Sequence, residues 1–271
     1  MKNMRIGFIG AGKMALALAR GFAEKMKPNA ILASSPASDE VFLKEFRSHG
    51  FDTYHSNEFV ARNVDTVILA TKPSILPTIF KELHDTIQPN QLLISIAAGI
   101  PIKMIQESLS MGDTLKVIRV MPNTPSLVNE GVSIYSLNHQ CDLKDQKIIE
   151  EMFSCVGSIY KIDETLIDAA TGISGCGPGY MYLVIEAMGD AGVKQGLPRD
   201  LAYKLAAQTM IGSGKMVLQT GQHPAVLKDS VCSAGGSTIA GISALENEGV
   251  RGAFIKAVEV ATLKCKDLGN K

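Results

Sequence analysis

The chain has no tryptophan, and phenylalanine and tyrosine raise its aromatic content to only 6%. Neither charge is in excess, since 27 Lys and Arg balance 27 Asp and Glu over 271 residues. A chain without a net field has nothing to draw it to nucleic acid or an anionic membrane surface, so neither partner is expected. Five cysteines (Cys141, Cys155, Cys176, Cys232 and Cys265) are odd in number and contain no C-x-x-C pair. That usage speaks against a disulfide framework and a zinc site and for reduced thiols. The five histidines are scattered, none four residues from another, so no metal is expected. No apolar run reaches the ~20 residues of a membrane helix. The first ten residues lead into a strand pattern without signal-peptide anatomy, and the expected location is the cytoplasm.

What the chain does have is an organised opening. Residues 6–9 form a short apolar run that breaks at Gly10 and restarts with Ala15, Leu18, Ala19 and Phe22 at helical spacing. This is a strand, a turn and a helix, with Gly10, Gly12 and Ala15 at the three small positions of a dinucleotide-binding fingerprint. Gly10 makes the sharp turn, Gly12 lets a pyrophosphate approach the backbone, and Ala15 lets the helix lie close to the sheet. The helix start offers unpaired N–H groups and partial positive charge to the phosphates.

Strand and helix signals then alternate to residue 162, with strands read at 30–34, 52–54, 65–70, 91–97, 115–120, 131–137 and 157–162. Ligands of open parallel sheets lie outside the carboxyl ends of the strands, so Ala70, Lys72, Pro73, Ala97, Ala98 and Gly99 are expected to border a cofactor, with Thr71 among them. Lys72 either reaches a phosphate or ribose or is a solvated loop lysine. The second strand ends in Ser34 and Ser35, and the first acid after it is Asp39. Two hydroxyls without a carboxylate favour NADPH over NADH, although no Arg stands beside them to clamp a phosphate. Asn57 is either the cap of a short helix or a contact to the adenosine ribose. Residues 121–125 (MPNTP) make a stiff loop that suits a nicotinamide or a substrate as well as it suits a plain turn.

Beyond residue 162 the strand signals stop and helix follows helix. The expected fold is therefore α/β: a Rossmann-type dinucleotide-binding domain over 1–162, followed by an all-α domain over 163–271. Residues 180–188 are apolar nearly all round, which suits a helix that completes its burial against another subunit. Two glycine-rich stretches read as loops, residues 172–180 and residues 233–238. The second, with Ser233, Gly235, Gly236, Ser237 and Thr238, opens a helix and is either a plain cap or an anion site for a small carboxylate. Between Ile162 and Val193 there is no Lys, Arg or His. An alcohol dehydrogenation needs a general base there, whereas reduction of a protonated imine needs only an oriented cofactor, a held carboxylate and a hydroxyl at the ring nitrogen.

Six motifs in order then resemble the pyrroline-5-carboxylate reductase family: residues 6–12 (IGFIGAG), 70–73 (ATKP), 97–99 (AAG), 121–125 (MPNTP), 174–180 (SGCGPGY) and 223–238 (HPAVLKDSVCSAGGST). The resemblance implies an NADPH-binding Rossmann domain, a helical dimerisation domain, interleaved homodimers that assemble into decamers, and hydride transfer to pyrroline-5-carboxylate giving L-proline, the last step of proline biosynthesis. It places Gly10, Ala11, Gly12, Lys13 and Met14 on the pyrophosphate, and Ser34, Ser35 and Asn57 on the adenosine ribose and its phosphate. Ala70, Lys72, Pro73, Ala97 and Asn123 fall along the nicotinamide half. Residues 233–238 become the substrate loop, with the Gly236 and Ser237 amides on the carboxylate and the Thr238 hydroxyl, the catalytic group, facing the ring nitrogen. The family usually has Pro where this chain has Ala234, and Ser or another small residue at Cys176. Two other readings compete. β-Hydroxyacid dehydrogenases share the layout but place a catalytic Lys where Tyr180 and Met181 stand; a non-catalytic NADP-binding redox sensor would not need residues 233–238 intact.

Overall fold

A computed structural model of the chain describes residues 4–109 and 112–269. Eight strands form one sheet: β1 (Arg5–Ile9), β2 (Ala30–Ser34), β3 (Asp52–Tyr54), β4 (Thr66–Leu69), β5 (Leu92–Ser95), β6 (Lys116–Met121), β7 (Gly131–Leu137) and β8 (Gly157–Lys161). Their order across the sheet is β3-β2-β1-β4-β5-β6-β7-β8. All neighbours run parallel except β7, which lies antiparallel to β6. The connection over residues 122–130 is too short for a helical crossover, so the chain turns back through a 3₁₀ turn (Thr124–Val128) and left-handed Asn129 (φ +59°).

Six helices cover the two faces. On one lie α1 (Lys13–Lys25), α2 (Glu40–Ser48) and α6 (Leu143–Ser154); on the other lie α3 (Asn57–Arg62), α4 (Leu76–Leu83) and α5 (Ile102–Ser108). Alternation along β1 explains the two cores. Ile6 and Phe8 face the first layer and Ile9 the second, all three fully buried. Phe8 stacks on Phe22 of α1 with centroids 6.3 Å apart and meets Phe46 of α2 edge-on at 6.2 Å. The five cysteines are free thiols, and burial pushes the Cys141 thiol up to about 12.

Helices follow β8: α7 (Ile167–Ser174), α8 (Gly177–Lys194), α9 (Arg199–Thr220), α10 (Pro224–Ser230), α11 (Ser237–Asn247) and α12 (Val250–Gly269). Among the described residues no strand occurs after residue 161. Two compact units result, one of residues up to Cys176 together with those from Val260 onward, the other Gly177–Glu259. The first unit thus reaches past residue 162, where the sequence pattern changes. Arg119 of β6, only 4% exposed, needs carboxylate partners, and it finds Asp168 of α7 at 2.8 Å and Glu164 at 3.5 Å.

In the second unit, α8 and α9 pair closely because their facing residues are small. A Cβ on Gly189 would meet the Tyr203 ring at 2.7 Å, and one on Gly192 would meet Ala202 at 3.1 Å. A helix stop and a helix start lie between them, with Gly196 at φ +96° and Pro198 at the cap of α9. The expectation of a loop over residues 172–180 is corrected: α7 continues to Ser174 and α8 begins at Gly177, leaving a joint of Gly175 and Cys176. Pro178 lies in the first turn of α8, where its missing N–H costs nothing. The apolar stretch of α8 is not covered within one chain, since Tyr182 is 59% and Leu183 66% exposed.

Candidate active site

The residues expected to bind a dinucleotide gather at one edge of the first unit, because β1, β2, β4, β5 and β6 are parallel and end together. Gly10 leaves β1 at φ +103°, and its N–H is held by the Ser34 carbonyl at 2.8 Å. A Cβ there would press on the Ala70 carbonyl oxygen at 2.8 Å, so this glycine is demanded by the protein's own packing. Ala11 is buried behind the turn. Gly12 differs. It caps α1 at φ −70° and ψ 176°, a conformation any residue adopts, and a Cβ on it would meet nothing within 4 Å. No side chain caps this helix end and no acid stands in its first turn. The first bond of α1 runs from the Leu16 N–H to the Gly12 carbonyl at 3.0 Å, so the amides of Lys13, Met14 and Ala15 have no partner within the helix.

Beside this turn, the Thr71 Oγ1 is buried without a hydrogen-bond partner, and its Cγ2 lies 2.9 Å from where a Gly10 Cβ would be. Open space before free amides, with an orphaned hydroxyl next to it, fits a phosphate-bearing ligand. Lys72 is exposed and Pro73 opens a 3₁₀ turn (Pro73–Ile75). Ala97 and Gly99 are buried, Ala98 is half-buried, and Gly99 turns at φ +76°. Asn123 is largely committed to the fold. Its Oδ1 accepts from the Val132 N–H at 2.9 Å, and its Nδ2 donates to the Ser174 carbonyl at 3.0 Å, leaving one amide N–H for a ligand.

At the end of β2 the side chains are linked. Ser34 donates to the Asn57 Oδ1 at 2.7 Å, Asn57 Nδ2 donates to Glu82 at 2.6 Å, and Ser35 donates to Asp39 at 3.0 Å. Asn57 does not cap α3. Ser56 does, accepting from the Phe59 N–H at 3.1 Å, because the hydroxyl one residue earlier already reaches that amide. The premise that no carboxylate stands here is also corrected. Pro36 and a 3₁₀ turn (Ala37–Asp39) bring Asp39 back to Ser35, and Glu82 arrives from α4, which no local pattern announces.

The expected substrate loop lies in the second unit and is a turn followed by a helix start. The Gly236 N–H donates to the Ser233 carbonyl at 3.0 Å, with Ala234 at negative φ and Gly235 at φ +66° between them, the pattern of a type II turn. The Gly236 amide is therefore spent within the turn, contrary to the expectation that it faces a carboxylate. α11 makes its first bond from the Ala240 N–H to the Gly236 carbonyl at 3.3 Å, which leaves the amides of Ser237, Thr238 and Ile239 without helical partners. The Ser237 and Thr238 side chains are exposed, and no acid stands in the first turn. A small anion can be held here by amides and hydroxyls alone.

Among the described residues no helix is long and apolar enough to cross a membrane, and no cluster of His, Cys, Asp and Glu could hold a metal. A family model for pyrroline-5-carboxylate reductase dimerisation matches residues 164–268. Another, described as "NADP oxidoreductase coenzyme F420-dependent", matches residues 5–99. The chain is 42% identical to pyrroline-5-carboxylate reductase 2 of Bos taurus, covering 98% of this chain and 84% of that protein. It is also 42% identical to pyrroline-5-carboxylate reductase of Glycine max, covering 98% and 97%. A solved structure of Plasmodium falciparum pyrroline carboxylate reductase with NADP bound superposes at a TM-score of 0.89 with 37% identity, covering 99% of both chains. Likeness of this extent in sequence and fold, running through both the dinucleotide-binding and the helical parts, places the chain in the pyrroline-5-carboxylate reductase family, nicotinamide-dependent oxidoreductases acting on the imine of pyrroline-5-carboxylate.

Proposed function

We propose that this protein reduces 1-pyrroline-5-carboxylate to L-proline, in the final step of proline biosynthesis, with the amides at the start of α1 as its dinucleotide anchor and the turn before α11 as its substrate grip. A reduced nicotinamide, when bound, would supply the hydride taken up by the carbon of the protonated imine, C=NH⁺ becoming CH–NH. The protein's own part is placement. Gly10 and Ala11 shape the turn, Gly12 keeps the space ahead of it open, and the amides of Lys13 and Met14 meet the pyrophosphate. Ala70, Thr71, Lys72, Pro73, Ala97, Ala98 and Gly99 border the rest of the dinucleotide, with the spare Asn123 N–H at its nicotinamide end. Ser34, Ser35 and Asn57 receive the adenosine ribose. From the β2 sequence alone NADPH is the expected partner, and Asp39 and Glu82 weigh against that preference.

Ser233 and Gly235 set the turn, the Ser237 amide takes the substrate carboxylate with Gly236 fixing its direction, and the Thr238 hydroxyl faces the ring nitrogen, its oxygen accepting the N–H of the protonated imine. The observation that carries this reading is the base-free helix start at Ser237 and Thr238: it offers donors to a carboxylate and no group to deprotonate an alcohol. Residues 1–162 form the dinucleotide-binding domain and residues 163–271 the dimerisation and substrate domain. The assembly is a cytoplasmic homodimer, with a decamer the higher state the resemblance implies.

NADPH absorbance followed with pyrroline-5-carboxylate, and then NADP reduction followed with a β-hydroxyacid, tests the assignment. Turnover with the imine alone is expected. Turnover only with the hydroxyacid would transfer the protein to the dehydrogenases, and turnover with neither would favour a cofactor-binding sensor. Thr238→Ala should lower kcat by about 5- to 150-fold, the loss of a hydrogen bond worth about 1–3 kcal/mol in the transition state. Undiminished kcat would remove Thr238 from the chemistry.

A further inference from the structure

A proton count at the end of β2 shows what this corner of the site can receive. A serine hydroxyl has one proton to donate and a carboxamide has two. The Ser34 proton goes to the Asn57 Oδ1 at 2.7 Å and the Ser35 proton to the Asp39 Oδ2 at 3.0 Å. One Asn57 N–H goes to the Glu82 Oε2 at 2.6 Å. Among these three side chains a single N–H, on Asn57, is left to offer, against the lone pairs of two hydroxyls and the free oxygens of two carboxylates. The guanidinium nearest to Ser35 and Asp39 in sequence, Arg47, is engaged by Glu40 and by Thr53 at 2.7 Å. His55 meets the Ser35 carbonyl through Nδ1 at 3.1 Å.

The corner is thus rich in acceptors and carries negative charge. A ribose hydroxyl is a donor and suits it. A phosphate monoester is an acceptor without a proton to spare and brings up to two further negative charges. To enter, it must reverse the direction of both serine hydroxyls and stand against Asp39 and Glu82. We propose that Asp39 and Glu82 are specificity-determining residues that act against the 2′-phosphate of the dinucleotide, Asp39 by taking the Ser35 proton and Glu82 by fixing the Asn57 amide. Together they hold the use of NADPH down relative to NADH. The inference rests on the reading above, that Ser34, Ser35 and Asn57 receive the adenosine ribose.

Asp39→Asn and Glu82→Gln keep an oxygen to accept the same hydrogen bonds and remove only charge. The test measures two ratios in the full chain: kcat/KM for NADPH over NADH with pyrroline-5-carboxylate, and the Kd of NAD⁺ over that of NADP⁺ by calorimetry. Each substitution is expected to raise both ratios roughly five- to tenfold, the scale of one charge acting on a nearby phosphate in a solvated corner. Asp39→Lys should go further in the same direction. Ratios within twofold of the unsubstituted protein across all three variants would overturn the proposal. If the unsubstituted protein turns over with neither dinucleotide, the reductase reading fails, and the calorimetric ratio still decides the role of the two carboxylates.

Discussion

The two compact units use apolar residues at the same spacing to different ends. In α1, Ala15, Leu18, Ala19 and Phe22 recur at helical intervals, and every one is buried against the sheet. In α9, Ala202, Leu205, Ala206 and Thr209 recur in the same way, yet only the two alanines are buried and the large Leu205 stands half exposed. α8 and the part of α12 in this unit behave like α9, with Leu183 and Ile255 both more than half exposed. Periodicity therefore says that a helix has a face to cover, not what covers it. In the first unit the covering is the chain's own sheet. In the second, large apolar side chains remain exposed on several helices, and apolar surface left in that number marks a partner. The match of a dimerisation model to residues 164–268 makes a second copy of the chain the natural occupant.

The largest effect that could break this contrast comes from placing a charge on each kind of exposed apolar residue. Leu183→Asp, at a site 66% exposed in the single chain, should weaken dimerisation by at least about 2 kcal/mol, or roughly thirtyfold in Kd, as a buried interface residue does. Val41→Asp, 76% exposed on α2, should leave the assembly unchanged. Sedimentation over a dilution series distinguishes them. Equal, negligible effects would mean that the exposed faces of the helical unit are ordinary surface.

A smaller effect sharpens the comparison inside the first unit, between a glycine the fold requires and a glycine the ligand requires. Gly10 has a positive φ and a carbonyl oxygen 2.8 Å from its missing Cβ; Gly12 has neither constraint. Gly12→Ala should therefore leave the thermal midpoint unchanged or raise it slightly, because alanine fits φ −70°. The same methyl would occupy the space before the α1 amides and lower dinucleotide affinity about tenfold, by steric exclusion of ~1–2 kcal/mol. Melting curves and calorimetric titration of the variant read the two halves separately. A drop in stability with unaltered affinity would assign Gly12 to the fold and remove the cradle from the site.

Much of this was legible from residues alone, and the failures share a cause. β2 and β7 fall where the apolar runs and their glycine, proline or serine boundaries place them, because a strand buried on both faces writes a continuous signal. The glycine turn at residues 10–12 is equally legible, since its signal is local. Where side chains choose among neighbours distant in sequence, the reading stops. Ser56 and Asn57 are both good caps, and only geometry gives the role to Ser56. Asp39 looks too far along the chain to matter until the 3₁₀ turn returns it to Ser35, and Glu82 is 25 residues from the asparagine it holds. Residues 172–180 read as a loop because four glycines signal one, yet the ends of two helices accommodate them.

The smallest effect concerns the second unit's own turn and uses the one departure from the family pattern within it. In a type II turn the second position favours proline, whose ring sets φ near −65°, and the third requires a positive φ. Gly235 meets the third condition at φ +66°, while Ala234 occupies the second with a negative φ and an N–H that takes no part in the turn's closing bond. Ala234 thus holds the conformation without narrowing the alternatives of the unfolded chain. Ala234→Pro should stabilise the protein by about 0.4–1 kcal/mol, visible as a rise of a degree or more in Tm. If the turn aims the Ser237 amide at the substrate, KM for pyrroline-5-carboxylate should fall by up to about threefold while kcat stays near its original value, because ordering the loop beforehand lessens what binding must order. Higher stability without a change in KM would separate the turn from substrate binding. A loss of stability would show that residue 234 departs from the proline angle and that the turn is held by Gly235 and the Ser233–Gly236 bond alone.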